Sequence, residues 1–134
     1  MAEKILLEIV TPERKVLSEM VDIVVAPGEL GEFGVLPGHI PFLCKLKVGE
    51  LRYRVGAAYL HVAIMGGYAE VLNNQVTILA PAAEAAVEID VIRARAARER
   101  AERRIAEVRE KFDFARAQAA LQRAMARLKV SERQ

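Results

Sequence analysis

At Pro81 the spacing of the apolar residues changes from two to about 3.6, and one layer of secondary structure cannot serve both periods. The chain must therefore place strands first and helices after them, which makes it α+β. Composition turns at nearly the same place. Hydrophobic residues make up 53% of the 134, yet aromatics are 5% and tryptophan is absent, so alanine carries much of the count, most densely after Ala80. Residues 1–87 have a net charge of −3 and residues 88–134 of +5. A joint change of period, composition and sign predicts two units, residues 1–84 and residues 85–134, within the length of one ordinary domain.

The first unit reads as short strands divided by turn residues. Lys4–Val10 sets Ile5, Leu7 and Ile9 on one face, Thr11-Pro12-Glu13-Arg14 turns the chain, and Lys15–Leu17 and Asp22–Ala26 follow. Pro41–Lys47 precedes Gly49. Glu50–Val55 then alternates strictly, with Leu51, Tyr53 and Val55 on a dry face and Glu50, Arg52 and Arg54 on a wet one. Tyr59–Met65, Tyr68–Leu72 after Gly66-Gly67, and Val76–Leu79 after an Asn73-Asn74 hairpin turn complete the series. A sheet with an apolar face needs another to cover it, so an antiparallel sandwich or flattened barrel is expected.

In the second unit Ala94, Ala97, Ala101, Ile105, Val108 and Phe112 form one apolar helical stripe behind Asp90 as N-cap. Phe114, Ala117, Leu121, Ala124 and Leu128 form the matching stripe behind Asp113 as the second cap. Two such helices joined by a short break pair as an antiparallel hairpin. Because a buried alanine methyl contributes roughly 0.8 kcal/mol and a buried leucine about 1.5–3, this hairpin should dock weakly and be open to switching by a ligand or partner.

Residues Pro27–Leu43 read PGELGEFGVLPGHIPFL, with glycine or proline too frequent for a helix. The Gly-x-x-Gly-x-x-Gly spacing fits neither a dinucleotide fingerprint nor a P-loop, so phosphate is not expected there. The apolar residues of this stretch either fold onto the core or face a partner. His39, His61 and Cys44 make no metal-ligand or nucleophile–base set, so no metal site and no catalytic centre is expected; His39 is read as bonding turn backbone and Cys44 as a buried thiol. MAEKILLEIV lacks a signal-peptide pattern and no window reaches the ~18 apolar residues of a membrane span. A soluble cytoplasmic chain is expected, with any membrane association made through partners.

Arg93, Arg100 and Arg104 recur at helical spacing, as do Arg116, Arg123 and Arg127. Along a shared groove these stripes suit a polyphosphate, with Glu84 and Asp90 near enough to address sugar or base. They equally suit a solvated face balanced by Glu99, Glu102 and Glu107, or an acidic protein partner; nucleic acid is disfavoured because stacking aromatics are absent from this face. A stand-alone nucleotide-sensing or nucleic-acid adaptor is the alternative of a different class.

PGELGEFGVLPGHIPFL, Met65-Gly66-Gly67-Tyr68-Ala69-Glu70-Val71 and the alanine/arginine-rich end together resemble the epsilon subunit of bacterial F-type ATP synthase, over essentially the whole chain. The resemblance implies a sandwich of about ten strands followed by a two-helix hairpin, in a subunit with no catalysis of its own. That subunit sits in the central stalk, peripheral to the cytoplasmic face of the inner membrane and not inserted in it. It couples proton flow to ATP synthesis and restrains hydrolysis. The implied partners are the gamma subunit, the ring of c subunits and, when the hairpin extends, the alpha/beta head. Glu29, Leu30, Gly31 and Glu32 fall at the implied c-ring contact and His39 at the gamma contact, while Val35, Leu36 and Ile40 should close the sandwich. Ile89-Asp90-Val91-Ile92-Arg93-Ala94 matches the motif of members that bind regulatory ATP. Arg123 and Arg127 match its second-helix arginines, and Glu84 and Arg100 fit the same site. No cofactor is required; a regulatory ATP is the one ligand implied.

Overall fold

A computed structural model describes residues 3–107 and 109–133, with every side chain among them except that of Phe112. Eight strands come first: β1 (Ile5–Val10), β2 (Lys15–Val21), β3 (Ile23–Gly28), β4 (Gly31–Val35), β5 (Phe42–Val55), β6 (Ala58–Leu72), β7 (Gln75–Leu79) and β8 (Ala83–Ala85). A 3-10 turn (Ala86–Glu88) leads into α1 (Val91–Glu107) and α2 (Lys111–Ser131). The α+β order predicted from the change of period is the one observed. The strand count is lower than ten for a simple reason. Segments 41–47 and 50–55 run on as the single strand β5, and 59–65 and 68–72 as β6. Conversely, the glycine-rich stretch contains a strand, β4, paired with β3 about a Glu29-Leu30 turn.

The strands run in the order β2-β1-β7-β6-β5-β3-β4, with β8 added on β6. Only β1 and β7 pair parallel among these neighbours. Asn73 and Asn74 have φ of +50° and +59°, the left-handed pair that a two-residue hairpin between β6 and β7 demands. The sheet curls until β2 lies against β5 and β8, enclosing Ile5, Leu7, Ile9, Val21, Val24, Leu51, Val62, Ile64, Val71 and Ile78.

The β5–β6 ladder runs through both layers. Its pairs Cys44/Ala69 and Leu46/Gly67 share a face with Val48/Met65 and Glu50/Ala63. Leu46 and Ala69 look into the main core, whereas Val48, Met65 and Ala63 look away from it, toward the helices. The opposite face swaps the other way, with Leu43 and Tyr68 exposed and Leu51, Val62 and Ile64 buried. The ribbon thus turns over between its two halves, where Gly66 and Gly67 adopt φ of +88° and +106°. At Gly67 a β-carbon would stand 2.0 Å from the Leu79 carbonyl oxygen, so no side chain fits.

The outward face of this second half is covered by α2. Ala126 and Val130 pack with Val48, Ala63, Met65, Ala82, Ala86 and Ile89 in a small second core. Covering explains one departure from the alternation at residues 50–55: Glu50, expected on a wet face, is buried beneath the helix. The helices fold on each other through Ala94, Ala101, Ala117 and Ala124, all buried. Ile105, Leu121 and Leu128 are half-buried and Phe114 is exposed; Val108 and the Phe112 side chain lie outside the described residues. Asp90 caps α1, its Oδ1 accepting from the Arg93 amide at 3.0 Å. Asp113 does not cap α2, which starts earlier with Glu110 as N-cap; Asp113 sits in the first turn, where its charge suits the helix dipole. Of the residues expected to close the sandwich, Val35 is buried, but Leu36 and Ile40 are exposed because Pro37-Gly38 carries the chain out over the sheet edge.

Gly67→Ala is expected to remove more than about 3 kcal/mol of stability or prevent folding. Gly38→Ala, at φ +79° with open space around its would-be β-carbon, should cost only about 1 kcal/mol. Thermal unfolding of the two variants checks the contrast.

Candidate functional site

A cleft of about 430 Å³ opens between α1 and α2, within the size range of small-ligand sites. Its floor is Ala94, Ala97, Ala101, Ala120 and Ala124, and its walls carry Arg93, Arg100 and Arg104 from α1 and Arg123 and Arg127 from α2. Glu84 on β8, Glu88 on the 3-10 turn and Asp90 at the α1 cap close the sandwich end. Alanine along its floor leaves this groove open, since longer side chains there would fill it. The helical spacing of the arginines places all five on its rim.

The three carboxylates are already engaged. Glu84 Oε2 accepts from Arg127 Nε at 3.0 Å, Glu88 pairs with Arg14 from the β1–β2 turn, and Asp90 holds the α1 amide. Among the described residues, the guanidinium groups of Arg93, Arg100, Arg104 and Arg123 make no hydrogen bond or ion pair. Four cations facing one groove repel each other, and an anion with several oxygens relieves that repulsion while taking bidentate hydrogen bonds. The chemistry of this lining suits a polyanion. Among the described residues no group of three His, Cys, Asp or Glu side chains is arranged to hold a metal.

Six of the expected ligand residues, Glu84, Asp90, Arg93, Arg100, Arg123 and Arg127, are brought together there. Ile89 is not at the cleft; it ends the 3-10 turn and is buried in the second core. Arg116 lies outside the lining. Arg104 lines the cleft with Arg93 and Arg100, as their shared helical spacing implies, whereas nothing in the sequence marks Glu88 as part of it.

Two further surfaces lie on the sandwich. Glu29, Leu30, Gly31 and Glu32 form the β3–β4 turn, with Leu30 fully exposed, Gly31 at φ +139° and Glu32 tied to Arg52 at 2.8 Å. Leu30 stands out from this turn between two acids and takes no part in the core. On the opposite side of the main core, Leu43, Tyr68, Leu72 and Leu79 share the exposed face of β5, β6 and β7. His39 overhangs the nearby edge, its Nδ1 2.7 Å from the Ile40 carbonyl oxygen and its ring 6.0 Å from that of Phe42. Asn74 fixes this loop: its Oδ1 accepts from the Gly38 amide at 3.0 Å, and its Nδ2 donates to the Lys4 carbonyl at 2.7 Å. Cys44 is partly buried, and His61 faces Glu50 beneath α2. Among the described residues, no helix is long and apolar enough to cross a membrane.

Comparison with known proteins places this geometry in context. Residues 4–86 match the family described as ATP synthase, Delta/Epsilon chain, beta-sandwich domain, and residues 88–132 match the long alpha-helix domain of the same chain. A protein of Syntrophobacter fumaroxidans named ATP synthase epsilon chain is 79% identical over 133 residues, covering 99% of each chain. One of the same name from Nitratidesulfovibrio vulgaris is 58% identical over 130 residues, covering 97% of each. Among solved structures, a chain in the Euglena gracilis mitochondrial ATP synthase, OSCP/F1/c-ring, superposes with a TM-score of 0.82 at 25% identity, over 96% of this chain and 81% of that one. A chain in the Tetrahymena thermophila mitochondrial ATP synthase central stalk and c-ring shares the fold, with a TM-score of 0.64 at 15% identity, over 98% of this chain and 97% of that one.

Proposed function

The chain belongs to the ATP synthase delta/epsilon family, and from that premise we propose that it is a non-catalytic central-stalk subunit whose helical hairpin is a nucleotide-responsive brake on ATP hydrolysis. The observation that carries the regulatory part is the set of four unpaired arginines around the alanine-floored cleft. A nucleoside triphosphate fits it chemically: the phosphates meet Arg93, Arg100, Arg123 and Arg127, while Glu84 and Asp90 lie at the sandwich end for ribose or base.

The β3–β4 turn, with Leu30 at its apex, is the contact to the polar loops of the c ring. The exposed face around His39, Leu43 and Tyr68 meets gamma. Near it the carboxyl of Glu8 is held below its usual range chiefly by hydrogen bonding to Lys15, with Ser18 and Gln75 adding to the effect, so this rim stays charged. The subunit acts at the cytoplasmic face of the membrane through these partners, in an enzyme that couples proton flow to ATP synthesis.

Two hairpin positions follow from its packing. Docked, it rests on the sandwich through the second core, which is mostly alanine and valine with single large contributions from Met65 and Ile89. Little apolar area is committed, so release is inexpensive. Released and extended along gamma, α1 and α2 present their arginines to acidic surface of the alpha/beta head and block hydrolysis. ATP bridges the two helices and the end of the sandwich, so it favours the docked form by RT ln(1 + [L]/Kd), about 2.7 kcal/mol at a hundredfold excess over Kd.

Calorimetric titration of the isolated chain with ATP should give saturable binding, weakened about tenfold or more by Arg123→Ala; no heat at millimolar ATP would remove the nucleotide from the scheme. Deleting residues 88–134 should raise ATP hydrolysis by the assembled complex, and an unchanged rate contradicts the brake. Glu32→Lys should leave the fold intact and loosen attachment of the catalytic sector to the membrane ring; normal proton-coupled synthesis in that variant counts against the turn as contact.

A further inference from the structure

Among the described residues Glu50 is the buried charged side chain, only 7% exposed although it sits on a sheet face opposite the main core. What buries it is α2. In register across β5, β6 and β8 lie Glu50, Ala63 and Glu84, a row with a carboxylate at each end and a methyl in the middle. The end of α2 crosses that row. Val130 packs with Ala63 and is fully buried, Arg127 Nε reaches Glu84 Oε2 at 3.0 Å, and Arg133 Nε reaches Glu50 Oε2 at 3.1 Å. Arg127, Val130 and Arg133 recur every third residue, so one edge of the helix carries cation, apolar anchor and cation against acid, alanine and acid. The chain continues the turn past Ser131: the Arg133 amide donates to the Val130 carbonyl at 2.9 Å, which fixes where its guanidinium projects.

The two ends of the row differ in what else they touch. Arg127 belongs to the nucleotide cleft, and a bound phosphate competes with Glu84 for it. Arg133 is outside the cleft. Glu50 has one other basic neighbour, His61, whose Nδ1 lies 3.4 Å from Oε2 but makes no well-formed hydrogen bond while buried. Arg52, paired opposite His61 across the ladder, is committed to Glu32. Among the described residues no other cation lies within 4 Å of Glu50, although Lys47 and, from α2, Lys129 line the same hollow, so removing Arg133 leaves His61 as the one basic group that close to the carboxylate.

We infer that Glu50 and Arg133 form a second latch on the hairpin, independent of nucleotide, which holds the end of α2 on the sandwich when Arg127 turns to a phosphate. The inference rests on the reading of the hairpin as mobile. A carboxylate hydrogen-bonded to a guanidinium under a helix resists separation more than an exposed ion pair does, because parting them while α2 stays docked leaves a buried acid short of a partner, so the end of α2 must lift as a unit. His61 receives Glu50 after release and keeps that penalty finite.

Hydrogen exchange of the full-length chain tests this, comparing α2 amides around Ala124–Val130 with those of β1 and β7, with and without ATP. Without ATP, Glu50→Gln and Arg133→Gln should each speed exchange of the α2 amides about tenfold and leave β1 and β7 unchanged, and the double variant should add little to either. With saturating ATP the wild type should stay protected around Val130, and Arg133→Gln should lose protection there before it does around Ala120. Arg133 is half-exposed near the chain end, so its variant decides the matter even where Glu50→Gln fails to fold. Equal exchange in Arg133→Gln and wild type, with Glu84→Gln faster than both, overturns the latch and spares the mobile hairpin. Exchange of wild-type α2 only at the rate of β1 and β7 overturns both.

Discussion

The architecture depends on the overturn of the β5–β6 ribbon. A two-stranded ladder with one apolar face can line a single core, but here each face lines the main core for half its length; the other half is covered by α2 on one face and exposed on the other. Gly66 and Gly67 permit the change, and the close approach of Leu79 to Gly67 shows how little room it leaves. Because of this overturn the molecule has two cores, one inside the sandwich and one outside it under α2. The helices need that second platform, since their own contact is a line of alanines.

Alanine has two effects in the hairpin. It lets the helices approach with little stabilisation, and it leaves a groove whose rim is arginine. A leucine-lined hairpin of the same length would pack more tightly and have no cleft. The small apolar contact and the open groove therefore come from one compositional choice, while the positive charge of the second unit comes from its arginines, several of which rim that groove.

Much of this was legible in the sequence. The change of period after Pro81 put the sheet before the helices, although β8 adds a short strand beyond that proline; Asn73-Asn74 located the tight hairpin, and the arginine spacing located one wall of the cleft on each helix. What could not be read were relations between distant segments. Glu50 alternates with Leu51 as an exposed residue should, and only the arrival of α2 some eighty residues later buries it. Leu36 and Ile40 look like core residues by type, yet a Pro-Gly turn swings them outward. Ile89 sits inside a binding motif but contributes by packing. Asp113 has the right chemistry for a cap, whereas the helix begins one turn earlier because Glu110 already has the extended backbone that a cap needs. Local propensity and periodicity report what a residue suits; they do not report what later covers it.

The Asn74 bracket has a mechanical consequence. One side chain joins the loop bearing His39, the start of β1 and the β6–β7 turn through two short hydrogen bonds, and the Leu6 amide adds a third to the Asn74 carbonyl at 3.2 Å. Three segments that would otherwise flex separately are triangulated, and β1 carries on through β7 into β6, the strand on which α2 rests. A force applied at the His39 edge is therefore passed to the sheet as a whole rather than absorbed by bending of the loop.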